Sequence, residues 1–362
     1  MSRIISELKQ SLAEDLPDLP IIDWTSINEE APAIINFSYQ GPDASLPSAD
    51  VVVITWTEDE WSALDHVFVN SQTIRSRSDD DGIWREKWHL YSKDAPESSF
   101  SKLWGYFILV KIKEQNVMLF KSDAHLAHPN YIDGLEQMVR CIIKDVQPKR
   151  IYSIGTAGGA SLDDKLGNAV ITNAGHIILK EEENSSAPYN NQTISCGWFP
   201  SQALQKKVTD NLLMPLSQVL TSDEQNKLLE ELHTQKPESS GLTLDDLIND
   251  PLKNIQSPQP MPSRGTPLLT TDYYFIASGD DSNQYCALEM DDTVIGYVAN
   301  LADIDFAFIR NISDTVVVSY SKSGEKISDE IRNEWSSLIY KACGLYTSFN
   351  GALITWACIA AE

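Results

Sequence analysis

The 362-residue chain carries 52 acidic against 28 basic residues, a formal net charge of −24. That charge opposes non-specific attraction to nucleic acid or anionic membrane, and a composition 42% hydrophobic and 22% charged is that of a globular protein of one large or two modest domains. The five cysteines (Cys141, Cys196, Cys286, Cys343, Cys358) are scattered and include no C-x-x-C pair, so neither a disulfide framework nor a zinc ribbon is indicated and a cytoplasmic protein is expected.

Residues 1–48, rich in prolines and acids, read as an N-terminal extension or an arm packed on the main domain, which is expected over 49–362. Their opening "MSRIISELKQ" lacks the apolar centre of a signal peptide, and the longest apolar run, "GALITWACIAA", is too short to span a bilayer, so no membrane segment is expected. "ADVVVIT" (49–55) is a β-branched run, and "EDEWSALDHVF" after it spaces Trp61, Leu64 and Phe68 like a helix. "WGYFILVKIKEQNVMLFKS" predicts two strands around a turn at Glu114 to Asn116, and "YIDGLEQMVRCIIKDV" an amphipathic helix. "RIYSIG" and "GNAVITNAG" follow as strands. Between them and the next strands lies an expected insertion or lid over about 201–265, beginning with the helical-looking "SQALQKKVTDNLLMPLSQVL" and ending in the proline-rich "NIQSPQPMPSRGTP". "YCALEM", a helical "DDTVIGYVANLAD" and the strand "FAFIRNIS" complete an alternation that predicts an α/β fold, its sheet largely parallel and covered on both faces.

The glycine-rich "IGTAGGA" (154–160) reads as a turn at the carboxyl end of a parallel strand, a place where backbone approaches a ligand without Cβ obstruction. It matches neither G-x-G-x-x-G nor G-x-x-x-x-G-K-[ST], so the dinucleotide and P-loop fingerprints are absent. No cofactor and no metal site is expected. In "HLAH" two histidines at helical spacing have no third ligand, so the pair reads as solvated or phosphate-facing.

In their order and separation, "SIGTAGGASLDDKLGNAVIT", "ALEMDD" and "FIRNISD" resemble the purine and uridine phosphorylase superfamily, which includes the methylthioadenosine and adenosylhomocysteine nucleosidases. The resemblance covers roughly residues 50–320. It implies a single three-layer domain with a mixed, largely parallel sheet, a small-molecule purine ligand and a homo-oligomer. Gly155, Thr156, Ala157 and Gly158 would then close over ribose and base, and Asp314, beside Ser313, would protonate N7 and favour a 6-amino purine. Glu289, Met290 and Asp291 would hold the sugar, with Asp291 where the family usually has Glu. Tyr274 and Phe275 of "TTDYYFIAS" would meet the base, with Asp272 a structural acid nearby. The family's phosphorylases bind phosphate through an N-terminal glycine segment and an arginine ahead of the glycine-rich turn. Here "ITWTEDEW" has no glycine and Ser153 replaces the arginine, while Glu60, with Glu58 the runner-up, falls where the nucleosidases place their water-activating acid.

These residues imply an N-glycosidase acting on an adenine-type nucleoside or nucleotide, with a phosphate-dependent phosphorylase and a nucleotide sensor of weak turnover as alternatives. A third reading is an interaction subunit in which the extension and insertion matter more than the pocket. Relatives that cleave AMP or ATP in antiviral defence would need cations for the phosphate tail, and Arg85, Lys87, Lys121, His125, His128 and Arg264 are the candidates.

Overall fold

The computed structural model describes residues 16–76, 83–96, 102–127, 131–248, 258–277 and 284–362. Among them a thirteen-stranded sheet contains β1 (Ala33–Ile34), β2 (Val51–Thr55), β3 (His89–Tyr91), β4 (Gly105–Ile112), β5 (Gln115–Ser122), β6 (Arg150–Gly158), β7 (Ala169–Thr172), β8 (Ala174–Ile178), β9 (Thr193–Ser195), β10 (Pro260–Pro262), β11 (Leu268–Thr271), β12 (Leu288–Glu289) and β13 (Asp305–Asp314). The α-helices longer than four residues among the described residues are α1 (Glu58–Phe68), α2 (Tyr131–Val146), α3 (Gln205–Asn211), α4 (Ser222–Gln235), α5 (Asp292–Leu301) and α6 (Asp329–Ala360).

The centre of the sheet is parallel. Val53 of β2 pairs with Leu119 of β5 and Tyr152 of β6, and Ile154 of β6 pairs with Ile309 of β13. Antiparallel strands extend this centre: β4 joins β5 as a hairpin, β1 and β3 lie on β4, and β9 lies on β8. The hairpin turn sits at Lys113 and Glu114, one residue earlier than its polar residues suggest, because Ile112 pairs with Gln115 and Lys113 takes the left-handed φ of 51°.

Because side chains alternate across a strand, the β-branched run of β2 feeds two cores at once. Val51 and Val53 join α1 and α6 on one face, and Val52 and Ile54 join α2 and α5 on the other. Each such side chain contributes about 1.5–3 kcal/mol when fully buried. The result is the mixed α/β, three-layer arrangement that the alternation implies. No helix among the described residues is long and apolar enough to cross a membrane.

Three local expectations change. The strand "RIYSIG" continues through Gly158, because β13 goes on pairing with it at Thr156, Ala157 and Gly158, so the glycine-rich segment is strand up to that point. "SQALQKKVTDNLLMPLSQVL" is helical only over Gln205–Asn211, and Pro215 starts a separate short turn at Leu216–Gln218. The terminal helix begins at Asp329, well before the apolar stretch that announces it.

The described part of residues 1–48 packs on the main body. Leu19, Ile22, Trp24 and Ile27 are buried in the α1/α6 core, and the Tyr346 hydroxyl donates to Pro17 O at 2.7 Å. Leu204, Val208, Leu216, Leu220, Leu228 and Leu232 of the 201–265 segment are buried in the same core, and β10 pairs with β7. Residues 1–15 and 249–257 of these two regions lie outside the described residues.

Candidate active site

At the carboxyl ends of the parallel strands lies a cavity of about 400 Å³, a size suited to a small molecule and a place where open α/β sheets bind ligands. Trp56 and Thr57 enter it after β2, Glu60 from α1, and Thr156, Ala157 and Gly158 from β6. Tyr274 and Phe275 follow β11, Glu289, Met290 and Asp291 lead into α5, and Arg310, Ser313 and Asp314 come from β13.

Glu60 is the N3 residue of a capping box whose N-cap is Thr57, so the local sequence "TEDE" alone fixes its position. One carboxylate oxygen accepts from Thr55 Oγ1 (3.1 Å), Trp56 N (3.0 Å) and Thr57 N (3.0 Å), and the other from Thr156 N (2.8 Å) and Thr156 Oγ1 (2.7 Å). Burial works against its charge, but Arg310 and these donors prevail and hold its pKa below the ordinary glutamate value. Capping and a place at the cavity therefore coexist in one residue. Glu58, the runner-up, pairs instead with Arg85.

Gly155 answers for its missing side chain without any ligand. A Cβ there would stand 2.7 Å from Arg310 Nη1 and 2.8 Å from the Glu60 carboxyl, so the glycine makes room for these two side chains and does not itself line the cavity. Gly155→Ala is expected to cost about 1–3 kcal/mol through overpacking, measurable by urea unfolding. Arg310, 3% exposed, forms part of the cavity floor. Its Nε donates to Asp292 Oδ2 at 2.8 Å, its Nη2 bonds the other Asp292 oxygen and lies 3.3 Å from Glu289, and its Nη1 donates to Thr156 O at 3.2 Å. Replacing it by Met would leave buried carboxylates uncompensated, and a loss of about 3–5 kcal/mol in unfolding free energy is expected.

Around α5 the acids divide their work. Glu289 is tied up: one oxygen accepts from Thr270, and the other caps α5 by accepting from Asp291 N (2.6 Å) and Asp292 N (3.0 Å). Burial and Asp292 raise its pKa. Asp291 accepts from Leu126 N at 2.9 Å and lies 3.2 Å from His125 Nε2; burial pushes it up to about 7. His125 is in a loop, not on the helix that "HLAH" suggests. Burial lowers its pKa to about 4, and its Nδ1 accepts from Ala127 N at 3.0 Å, so the neutral ring presents Nε2–H to Asp291.

Asp314 is the contrasting acid. Ser313 donates to it at 2.9 Å, no ion pair reaches it among the described residues, and burial raises its pKa to about 6. Tyr274 beside it is 51% exposed, so its ring fills no core and offers a face to the cavity. Phe275 packs on a small apolar cluster that includes Leu288 and lines the cavity as well. Asp272 stands behind, accepting from Lys180 N (2.9 Å), Glu181 N (3.0 Å) and Asn184 Nδ2 (3.2 Å), as a structural acid would.

Of the expected phosphate-tail groups, His125 lines the cavity and four others do not. Arg85 lies over Trp61 and Trp84, Lys87 donates to Asn70, Lys121 pairs with Asp123, and Arg264 donates to Gly197 O; none of the four lines the cavity. His128 lies outside the described residues. No described residue of 201–265 lines the cavity either, and the leucines of that segment are buried in the core.

No protein-family model and no curated protein matches the chain. Solved structures do. A 5′-methylthioadenosine/S-adenosylhomocysteine nucleosidase from Neisseria meningitidis, in complex with methylthio-immucillin-A, is 12% identical over 86% of this chain and 99% of its own, with a TM-score of 0.43. An S-adenosylhomocysteine nucleosidase from Streptococcus pyogenes, in complex with 5-methylthiotubericidin, is 10% identical over 88% and 98% (TM-score 0.45). Futalosine hydrolase of Helicobacter pylori is 10% identical over 85% and 96% (TM-score 0.43). The likeness is one of fold. At such scores the chemistry of the site has to come from this chain's own residues.

Three features of the cavity have no counterpart among the sequence expectations. Arg310 carries a signal that was open to reading, a lone charge inside the apolar "FAFIRNIS", which has to be compensated if the strand is buried. Trp56 stacks near it, with the guanidinium 4.9 Å from its ring centre, and nothing in the sequence marks it. The third is the face of α6 formed by Asn333, Ser336, Ser337 and Tyr340.

Proposed function

We propose that the chain is a purine nucleosidase that hydrolyses the N-glycosidic bond of an adenine-type nucleoside, releasing free base and sugar. The observation that carries this reading is a pair of carboxyl groups in one cavity with pKa values pushed in opposite directions, Asp314 up to about 6 and Glu60 below its ordinary value.

Asp314, protonated, gives its proton to N7 of the bound purine, so that the C1′–N9 electron pair leaves with a neutral base and Asp314 is left as the carboxylate. Its second oxygen accepts from a 6-amino group, whereas a 6-oxo group would face it acceptor to acceptor. As the C1′–N9 bond breaks, positive charge builds on the sugar and the ionised Glu60 stabilises it. Water adds to the anomeric carbon and gives its proton to Glu60; a weakly basic carboxylate suffices, because water attacking an oxocarbenium ion is strongly acidic. Asp291 accepts from the ribose hydroxyls, and Tyr274 and Phe275 hold the base.

Hydrolysis is favoured over phosphorolysis by the charges around the cavity. Arg310 is the one Lys or Arg among the described lining residues, and its guanidinium is already bonded to Asp292 beside Glu289 and Glu60. Ser153, where a phosphorylase would place arginine, is buried and donates to Asp292. A phosphate would meet carboxylates here, whether as nucleophile or as the tail of a nucleotide, so a nucleoside is the preferred substrate.

The pH profile has a defined sign. Asp314 acts in its protonated form, so kcat/KM is expected to be flat below about pH 6 and to fall as pH rises through that value, with Glu60 still ionised on the acid side. Incubation with adenosine, inosine, methylthioadenosine, AMP and ATP, each with and without inorganic phosphate, tests the reading by chromatography of the products. Adenine release independent of phosphate is expected. Release only with phosphate would establish the phosphorylase instead, and binding without release would establish the sensor.

A further inference from the structure

The face of α6 that closes the cavity is polar, although the helix is buried over most of its length. Asn333, Ser336, Ser337 and Tyr340 follow one another at i, i+3, i+4 and i+7, the spacing that stacks side chains on one side of a helix, and all four line the cavity. The neighbouring positions Trp335, Leu338 and Ile339 turn the other way and are buried in the core. This stripe crosses the cavity. At one end Ser336 lies against the hydroxyl of Tyr274, on the side of Asp314. At the other the Tyr340 hydroxyl donates to Thr57 Oγ1 at 3.1 Å, on the loop that caps Glu60. Between them the Ser337 side chain, and one turn before Ser336 that of Asn333, have no hydrogen-bond partner among the described residues.

We infer that this stripe, with Ser337 at its centre, is the subsite for an uncharged hydroxyl on the sugar end of the substrate, so that the enzyme selects nucleosides with a free 5′-hydroxyl. The inference rests on the nucleosidase reading above and narrows it. With the base held at Asp314, Tyr274 and Phe275, and the anomeric carbon at Glu60, the 5′ end of the sugar meets the remaining wall, where Thr57, Ser337 and Tyr340 present hydroxyl groups. A 5′-thioether would cover these hydroxyls without bonding them, leaving polar groups desolvated. A 5′-phosphate would find no Lys or Arg among the described residues of this wall and the Glu60 carboxylate nearby. A hydroxyl both donates and accepts, which matches serine and threonine partners.

The test separates this subsite from turnover by measuring binding to the Asp314→Asn protein, with calorimetry of adenosine, 5′-deoxyadenosine, methylthioadenosine and AMP. Adenosine is expected to bind about tenfold or more tightly than 5′-deoxyadenosine, which lacks only the hydroxyl, because a site built to bond a hydroxyl rejects the analogue without it. AMP and methylthioadenosine are expected to bind more weakly than adenosine. Adding Ser337→Ala, a substitution favourable to a helix, should erase most of the difference by weakening adenosine and leave 5′-deoxyadenosine within about twofold. Equal or tighter binding of 5′-deoxyadenosine, or a preference that survives Ser337→Ala, would overturn the subsite while leaving N-glycosidic hydrolysis standing. The expected preference in a protein whose wild-type form releases no adenine would support the subsite and overturn the nucleosidase. Binding of no nucleoside at all would overturn both.

Discussion

Asp314→Asn is expected to lower kcat on adenosine by about 10²- to 10⁴-fold, the range for losing a positioned general acid, while the dissociation constant changes only a few-fold. Asparagine has the same shape, so it keeps the close approach to Gly158, where a Cβ would stand 3.3 Å from the Asp314 carboxyl. It can bond the purine edge, but it has no acidic proton to give to N7. The descending limb of the pH profile above about 6 should disappear with the carboxyl group. Steady-state kinetics between pH 5 and 8, with binding measured separately, decide the matter. An unchanged kcat would remove Asp314 from the mechanism.

Glu60→Gln is expected to reduce kcat by at least about 100-fold as well, by a different route. The substitution removes the negative charge that faces the developing oxocarbenium ion and the group that receives the water proton. It also carries a structural cost. Five donors converge on the Glu60 carboxylate, and an amide turns an NH2 group toward at least one pair of them. A buried clash of donors of this kind costs about 1–3 kcal/mol, so the unfolding transition should shift too. The two effects separate in a single-turnover experiment on folded protein. The catalytic part appears as a slow chemical step at saturating nucleoside, and the structural part appears in the urea midpoint. Full turnover in a destabilised protein would show that Glu60 is only a helix cap.

Much of the scaffold could be read from residues with a strong local pattern. The β-branched run of β2, the spacing of Trp61, Leu64 and Phe68 in α1, and the periodicity of α2 each match the observed element. Strand β12 is only Leu288–Glu289, because the segment before it makes turns and the one after it opens α5. The role of Gly155 was not legible either. Its neighbours Arg310 and Glu60 come from two other elements, and a glycine that yields space to a side chain looks in sequence like one that yields space to a ligand. The start of α6 escaped for a related reason. Its first half alternates buried Trp335, Leu338 and Ile339 with the polar cavity-facing stripe, so it lacks the continuous apolarity of the half that follows.

The acids of the site were easier to place than the cations. Glu60, Glu289, Asp291 and Asp314 sit at element ends, where short motifs hold them in register, and all four line the cavity. Arg85 and Arg264 lie on segments whose path depends on tertiary packing and Lys121 near the end of β5, and each finds a partner elsewhere: Glu58, the Gly197 carbonyl and Asp123.

The central claim is that protonation of the purine at N7 by Asp314 drives its departure from this cavity. Its most direct test compares adenosine with 7-deazaadenosine in phosphate-free buffer, following base release and competitive binding together. Adenosine should yield adenine, and the 7-deaza analogue, which has a carbon where N7 would be, should bind and remain intact. Cleavage of both at similar rates would contradict the account.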